Sequence, residues 1–182
     1  AAIVQLDRLA AVRPYGALFA YQQGMILDYS GRNADALAAY QSAAGGGLWV
    51  APAVERHADL LARTEGREAA MGLLSGSQSR PDSEALARAL ARLQRGEGVA
   101  EAPLSPARGA AISLFALGAI FMQENDNTRA LVTLSVALML DPRLDAARLN
   151  FAHAQNQLHH AGEARAALQQ VPVNSPYYES AQ

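Results

Sequence analysis

Apolar and polar positions along the chain fall into long blocks separated by short polar or glycine-rich breaks. The clearest blocks are 112–122 and 130–140, two apolar runs parted by the polar segment 123–129. A run apolar on all sides reads as a helix buried on several faces. Two such runs joined by a short polar turn predict an antiparallel helix pair. The same alternation predicts helices at 2–11, 15–29, 34–44, 52–64, 68–74, 82–95, 145–160 and 163–171, with a further one starting at Tyr177.

The breaks have separate physical causes. Arg13-Pro14 and Asp141-Pro142 stop a helix because proline cannot continue the hydrogen-bond ladder and restricts the residue before it. Gly31 suits a left-handed helix close, and Pro52 suits a first turn, where a missing N–H costs nothing. Gly45-Gly46-Gly47 frees a linker, 75–81 is a Gly/Ser loop, and Ser79 with Asp82 resembles a helix start. The segment from Gly96 through Pro103 to Pro106 reads as an extended loop of about a dozen residues, long enough to be functional or a linker.

Small residues recur with a fixed offset. Gly118 precedes Ala130 by twelve residues, Gly24 precedes Ala36 by twelve, and Ala58 follows Gly24 by 34. Leu117-Gly118 followed by Phe121, then Ala130, Leu134, Ala137 and Pro142, resembles the tetratricopeptide repeat, with Leu114 in the tryptophan slot. Gly24, Ala36, Tyr40 and Ala43 form a second match. Ala58, Ala70 and Leu74 form a degenerate one, and Phe151, Gln155, Leu158 and Ala167 a looser one. The resemblance implies a right-handed all-α solenoid of antiparallel helix pairs. Its units are 17–50, 51–81, an irregular 82–108 carrying the long loop, 111–144 and 148–181, in a single domain over 1–182. Both ends read as open repeats, so the chain is expected to be an interior or C-terminal piece of a longer protein, similar to bacterial multi-repeat proteins.

Composition narrows the chemistry. Alanine makes up about a fifth of the chain and aromatics only 6%, which favours close-packed helices. A net charge of −2 gives no basic field, so no nucleic-acid partner is expected. The absence of cysteine excludes disulfides, thiolate nucleophiles and cysteine–zinc sites. All 15 basic residues are arginine, which removes Schiff-base chemistry and the phosphate-loop lysine. It also removes the lysine pair that chaperone-binding tetratricopeptide domains use. No cofactor is expected. Neither apolar run reaches the ~18 residues of a membrane span, and no leader-like segment opens the chain. A soluble protein is therefore expected, its compartment open between cytoplasm and periplasm.

Candidate chemistry is sparse. His153 and His160, seven apart with Asn156 between, predict one helical face that could hold a metal with a third ligand; a polar groove wall is the plainer reading. The Ser of Gly72-Leu73-Leu74-Ser75-Gly76 is one residue late for a nucleophile elbow, and Gly96-Glu97-Gly98 follows a helix where dinucleotide binding needs a strand. Glu65, Glu68, Glu97 and Glu101 show no evident partner. Arg88, Arg92 and Arg95 form a basic stripe, read as a solvated face.

If the first helix of each pair lines the inner surface, as the resemblance implies, that surface carries Tyr21, Met25, Tyr29, Arg56, Asp59, Arg63, Phe115, Met122, His153, Asn156 and His160. A trough of apolar spots and both charge signs suits an extended peptide or a partner helix. The expected role is a protein-interaction scaffold rather than an enzyme. The rivals are a recognition arm of a larger enzyme or regulator, and a small-molecule- or metal-binding helical domain. Homo-oligomerisation through exposed array ends is a further expectation.

Overall fold

A computed structural model describes residues 2–10, 15–77, 83–100 and 102–182. The Arg13-Pro14 break, the Ser79–Asp82 helix start and Glu101 lie outside them. The described residues are all-α, with ten α-helices, one short 3-10 turn and no strand. They form antiparallel helix pairs of tetratricopeptide-like type. Two compact units divide the chain, Ala1–Pro106 and Ala107–Gln182.

The first unit contains α1 (Ala2–Ala10), α2 (Gly16–Tyr29), α3 (Asn33–Gly45), α4 (Ala51–Thr64), α5 (Arg67–Gly76) and α6 (Ser83–Gln94). Helix α1 packs on α2, α2 pairs with α3, α4 pairs with α5, and α6 lies against both α4 and α5. The predicted breaks do their work here. Gly31 and Gly66 take positive φ values of 76° and 101°, closing turns that a β-carbon would strain. Pro52 sits in the first turn of α4. Arg88 and Arg95 are exposed, and only Arg92 is half-buried: Arg92 Nε donates to the Val99 carbonyl at 3.2 Å, and Arg95 pairs with Glu97 at the surface at 2.7 Å. Together they fasten the segment after α6, and Glu97 has a partner after all.

The second unit contains α7 (Pro106–Gln123), α8 (Asn127–Leu140), α9 (Asp145–Gln157) and α10 (Ala161–Leu168), ending in a 3-10 turn at Glu179–Ala181 in place of the helix expected from Tyr177. Pro106 opens α7 rather than lying in a loop, because a first-turn proline gives up no hydrogen bond. The helix therefore reaches 18 residues with a mean hydropathy of 1.2, contrary to the expectation that no run is long enough to span a membrane. Core helices pass the same test. Arg108 in α7 is held by Asp141 at 2.6 Å and Gly118 is packed under Leu134, so α7 lies against α8, with 33% of its residues buried.

The twelve-residue glycine–alanine offset acts one turn further on than the sequence suggests. A β-carbon on Gly24 would lie 2.6 Å from the Tyr40 ring, and one on Gly118 would lie 2.8 Å from Leu134 Cγ, so the residues filling the glycine gaps are sixteen on. Helical side chains lean toward their own N-terminus, so a given spot is covered by a residue C-terminal to it. Ala36 and Ala130 are themselves fully buried. Asn125 and His159, 34 residues apart, both adopt positive φ (60° and 64°) in the turns of successive pairs, as Gly31 does in its own.

Candidate functional site

In the first unit a charge cluster lies where the end of α2 meets α4. Arg56, Asp59 and Arg63 are spaced i, i+3, i+7 and share one face of α4. Asp28, at the end of α2, accepts from all of its donors at once. Tyr40 Oη donates to its Oδ2 at 3.2 Å, Arg56 Nη2 to the same oxygen at 3.2 Å, and Arg63 Nη2 to its Oδ1 at 2.7 Å. Asp59 completes the set, with Arg63 Nε at 3.2 Å and Arg56 Nη2 at 3.4 Å. Two carboxylates thus balance two guanidiniums.

Burial sharpens these interactions. Arg56 is only 4% exposed, and its Nε has no acceptor among the described residues. Burial works against the Arg63 charge, but its bonds to Asp28 and Asp59 outweigh this and hold its pKa above the ordinary value. Burial, aided by the neighbouring Tyr21 and Asp28, pushes the Tyr40 phenol well above its usual range. The His57 ring lies 5.7 Å from that of Tyr40, and burial lowers its pKa. The exposed side of the cluster forms an open cleft of about 370 Å³, walled by Tyr29 and by Pro103 and Leu104 from the segment after α6.

In the second unit a broader groove of about 1300 Å³ runs over α9, α10 and the segment 171–182. Met122, His153 and Asn156 line it, joined by Arg165 and Leu168 from α10 and by Tyr178. Ala152, Ala164 and Ala167, with Phe151 and Leu168 against them, form the small-residue core that brings α9 and α10 together beneath it.

The predicted site residues therefore divide four ways. Tyr29, Arg56, Asp59 and Arg63 meet in the first cleft, and Met122, His153 and Asn156 in the second groove. Tyr21 and Phe115, each 1% exposed, and Met25 are core residues and leave the set. Tyr21 packs on Tyr40 with ring centres 5.5 Å apart. The reason is that α2 buries a wide arc containing Leu18, Tyr21, Met25 and Asp28, so the stripe assigned to a groove is instead the stripe between helices. His160 lies in the turn after α9 rather than on it. Its Nδ1 is 2.8 Å from Gln155 Oε1, whereas His153 Nε2 is 3.2 Å from the Gln157 amide, so the two imidazoles have separate partners. Among the described residues no three His, Asp or Glu side chains gather as a metal site.

Sequence reasoning passed over Asp28, the hub of the first cluster, and Arg165, Leu168 and Tyr178 of the groove. Asp28 is the one acid in an otherwise uncharged α2, a usable signal. The groove residues sit on a second helix and on the tail, outside the first-helix rule.

Glycine seats filled from the paired helix, short turns closed by positive-φ residues and a 34-residue recurrence define a helical-repeat protein with tetratricopeptide-like pairs. No protein-family model and no curated protein matches the chain. Among solved structures it is similar to MamA 41-end from Desulfovibrio magneticus RS-1, at 14% identity and a TM-score of 0.38, over 93% of this chain and 81% of that one. It is also similar to MamA MSR-1 C2, at 18% identity and a TM-score of 0.34, over 91% of this chain and 99% of that one. Likeness at this level carries no argument about function, and the class rests on the packing above.

Proposed function

We propose that the protein is a protein-interaction module and that the groove of its second unit takes an extended peptide or a partner helix. One observation carries the reading: an open groove of about 1300 Å³ that mixes apolar, amide, imidazole and guanidinium groups over α9, α10 and the segment 171–182. Small-molecule pockets are enclosed and usually hold ~300–1,000 Å³. A shallow, longer trough with alternating character suits side chains presented along a chain, with amide donors and acceptors such as Asn156 available to its backbone. The cleft beside Tyr29 and Arg63 is a second contact place of the same mixed kind, its charges already balanced, so neither a strongly acidic nor a strongly basic partner is favoured there.

The test is selection of peptides from a random-sequence phage library on the intact chain, followed by affinity measurement on the His153→Glu/Arg165→Glu variant. Both side chains are exposed, so the fold is expected to survive. Enriched peptides whose Kd rises at least tenfold in the variant are expected. No enrichment, or binding equal in the two proteins, would remove the groove as the site.

A further inference from the structure

Helix α8, apolar all round in sequence and expected to be buried on several faces, leaves one face open. Its inner face, Ala130, Leu134 and Ala137, is fully buried against its neighbours. Its outer face exposes Val132 (65%), Val136 (40%), Met139 (80%) and Leu140 (40%). The first three are spaced i, i+4, i+7 and so form one continuous stripe. Polar groups on the helix do not relieve it. The Thr133 and Ser135 hydroxyls donate to carbonyls of their own helix, those of Arg129 and Leu131, at 2.7 Å each. The one charge on α8, Arg129, is drawn back to its first turn, paired with Asp126 at 2.6 Å and stacked over Phe121 at 4.6 Å.

Beside the stripe lies a depression of about 400 Å³, lined by Ser135 and Leu138 of α8, Phe151 of α9 and Ala166 and Ala167 of α10, with Arg148 and Glu163 at its polar edge. Ser135 is one turn before Met139 on the same helix, so the most protruding apolar side chain of the unit stands next to the hollow. A knob and a hole on one surface are what a two-fold interface requires, because each copy must present both.

We infer that the outer face of α8 is a docking surface for a second copy of this chain, with Met139 of each copy entering the other's depression. Two further features favour a second copy. The stripe carries no charge between Arg129 and Asp141, so apposing two of them brings no like charges together. The four exposed side chains with the walls of the hollow present roughly 400 Å² of apolar surface per copy, near the apolar share of the ~800 Å² that each partner contributes to a standard interface. This surface differs from the array ends that the sequence suggested, and it is independent of the groove reading above.

Sedimentation velocity on the intact chain from 1 to about 200 μM tests the inference against Met139→Glu, with Val132→Ser as a milder second variant and helical circular dichroism as the fold control. Wild type is expected to shift toward twice the monomer mass with rising concentration, with the dimer Kd raised at least tenfold by Met139→Glu and severalfold by Val132→Ser. A wild type that stays at monomer mass throughout overturns it, including the case where it instead co-sediments with neutral phosphatidylcholine vesicles through the same stripe. Self-association equal in wild type and both variants overturns it as well, since another surface would then be responsible.

Discussion

Replacing glycine by alanine at three helical positions should give opposite signs according to what stands over the missing β-carbon. In a helix interior alanine is favoured over glycine by about 1 kcal/mol. Gly72, exposed in α5 with nothing within 4 Å of a built β-carbon, should realise that gain, and Gly72→Ala should stabilise the chain by about 0.5–1 kcal/mol. At Gly118 the new methyl would stand 2.8 Å and 2.9 Å from two carbons of the fully buried Leu134. Overpacking of this kind costs roughly 1–3 kcal/mol, so Gly118→Ala should destabilise by about 1 kcal/mol net. Gly24 is worse placed. Its methyl would meet three atoms of the Tyr40 ring, the nearest at 2.6 Å, and that ring is fixed by packing on Tyr21 and by its bond to Asp28. Moving it adds the loss of a buried hydrogen bond, about 1 kcal/mol, for a net cost of about 2 kcal/mol. Urea unfolding followed by circular dichroism measures all three variants. Gly24→Ala as stable as wild type, or Gly72→Ala less stable than Gly118→Ala, would refute the glycine-seat packing.

Asp28→Ala should destabilise the first unit by about 3 kcal/mol, because it strands the buried Arg56 charge; adding Arg56→Met should recover part of that loss, read in the same urea titrations. Burial holds the folded-state pKa of His57 below its unfolded value near 6.5, so the unfolded chain takes up the proton first as pH falls. Stability from this group is complete above about pH 6.5 and is lost as pH drops from there toward the depressed folded value. His57→Gln should flatten the pH dependence of the urea midpoint between pH 7 and 5. His159 holds a positive φ of 64°, a conformation costing a non-glycine residue roughly 1 kcal/mol, so His159→Gly should raise the thermal midpoint by a few degrees.

The pair architecture was legible because each break has a local cause: Gly31, Pro52 and Pro142 act through their own backbones, whatever surrounds them. Pro106 shows the limit of that logic. The same residue ends one helix or begins the next, and only the run that follows it decides. The site was less legible because burial is a tertiary property. Tyr21 and Tyr29 are the same residue type on the same helix, yet one is core and the other 61% exposed, since α2 meets neighbours over most of its circumference. Asp28 gathers partners from positions 40, 56 and 63, a convergence that spacing along one helix does not announce. Helix α8 is the reverse case: uniform apolarity suggested burial on several faces without saying which, but a paired helix has an outer face, and here that face is left open.

The groove itself is tested most directly by titrating isotope-labelled protein with a library-selected peptide and following the backbone amide resonances. Shifts confined to α9, α10 and residues 171–182, strongest near His153, Asn156 and Arg165, are what the account predicts. Saturable binding with those amides unmoved and the shifts gathered elsewhere would contradict it.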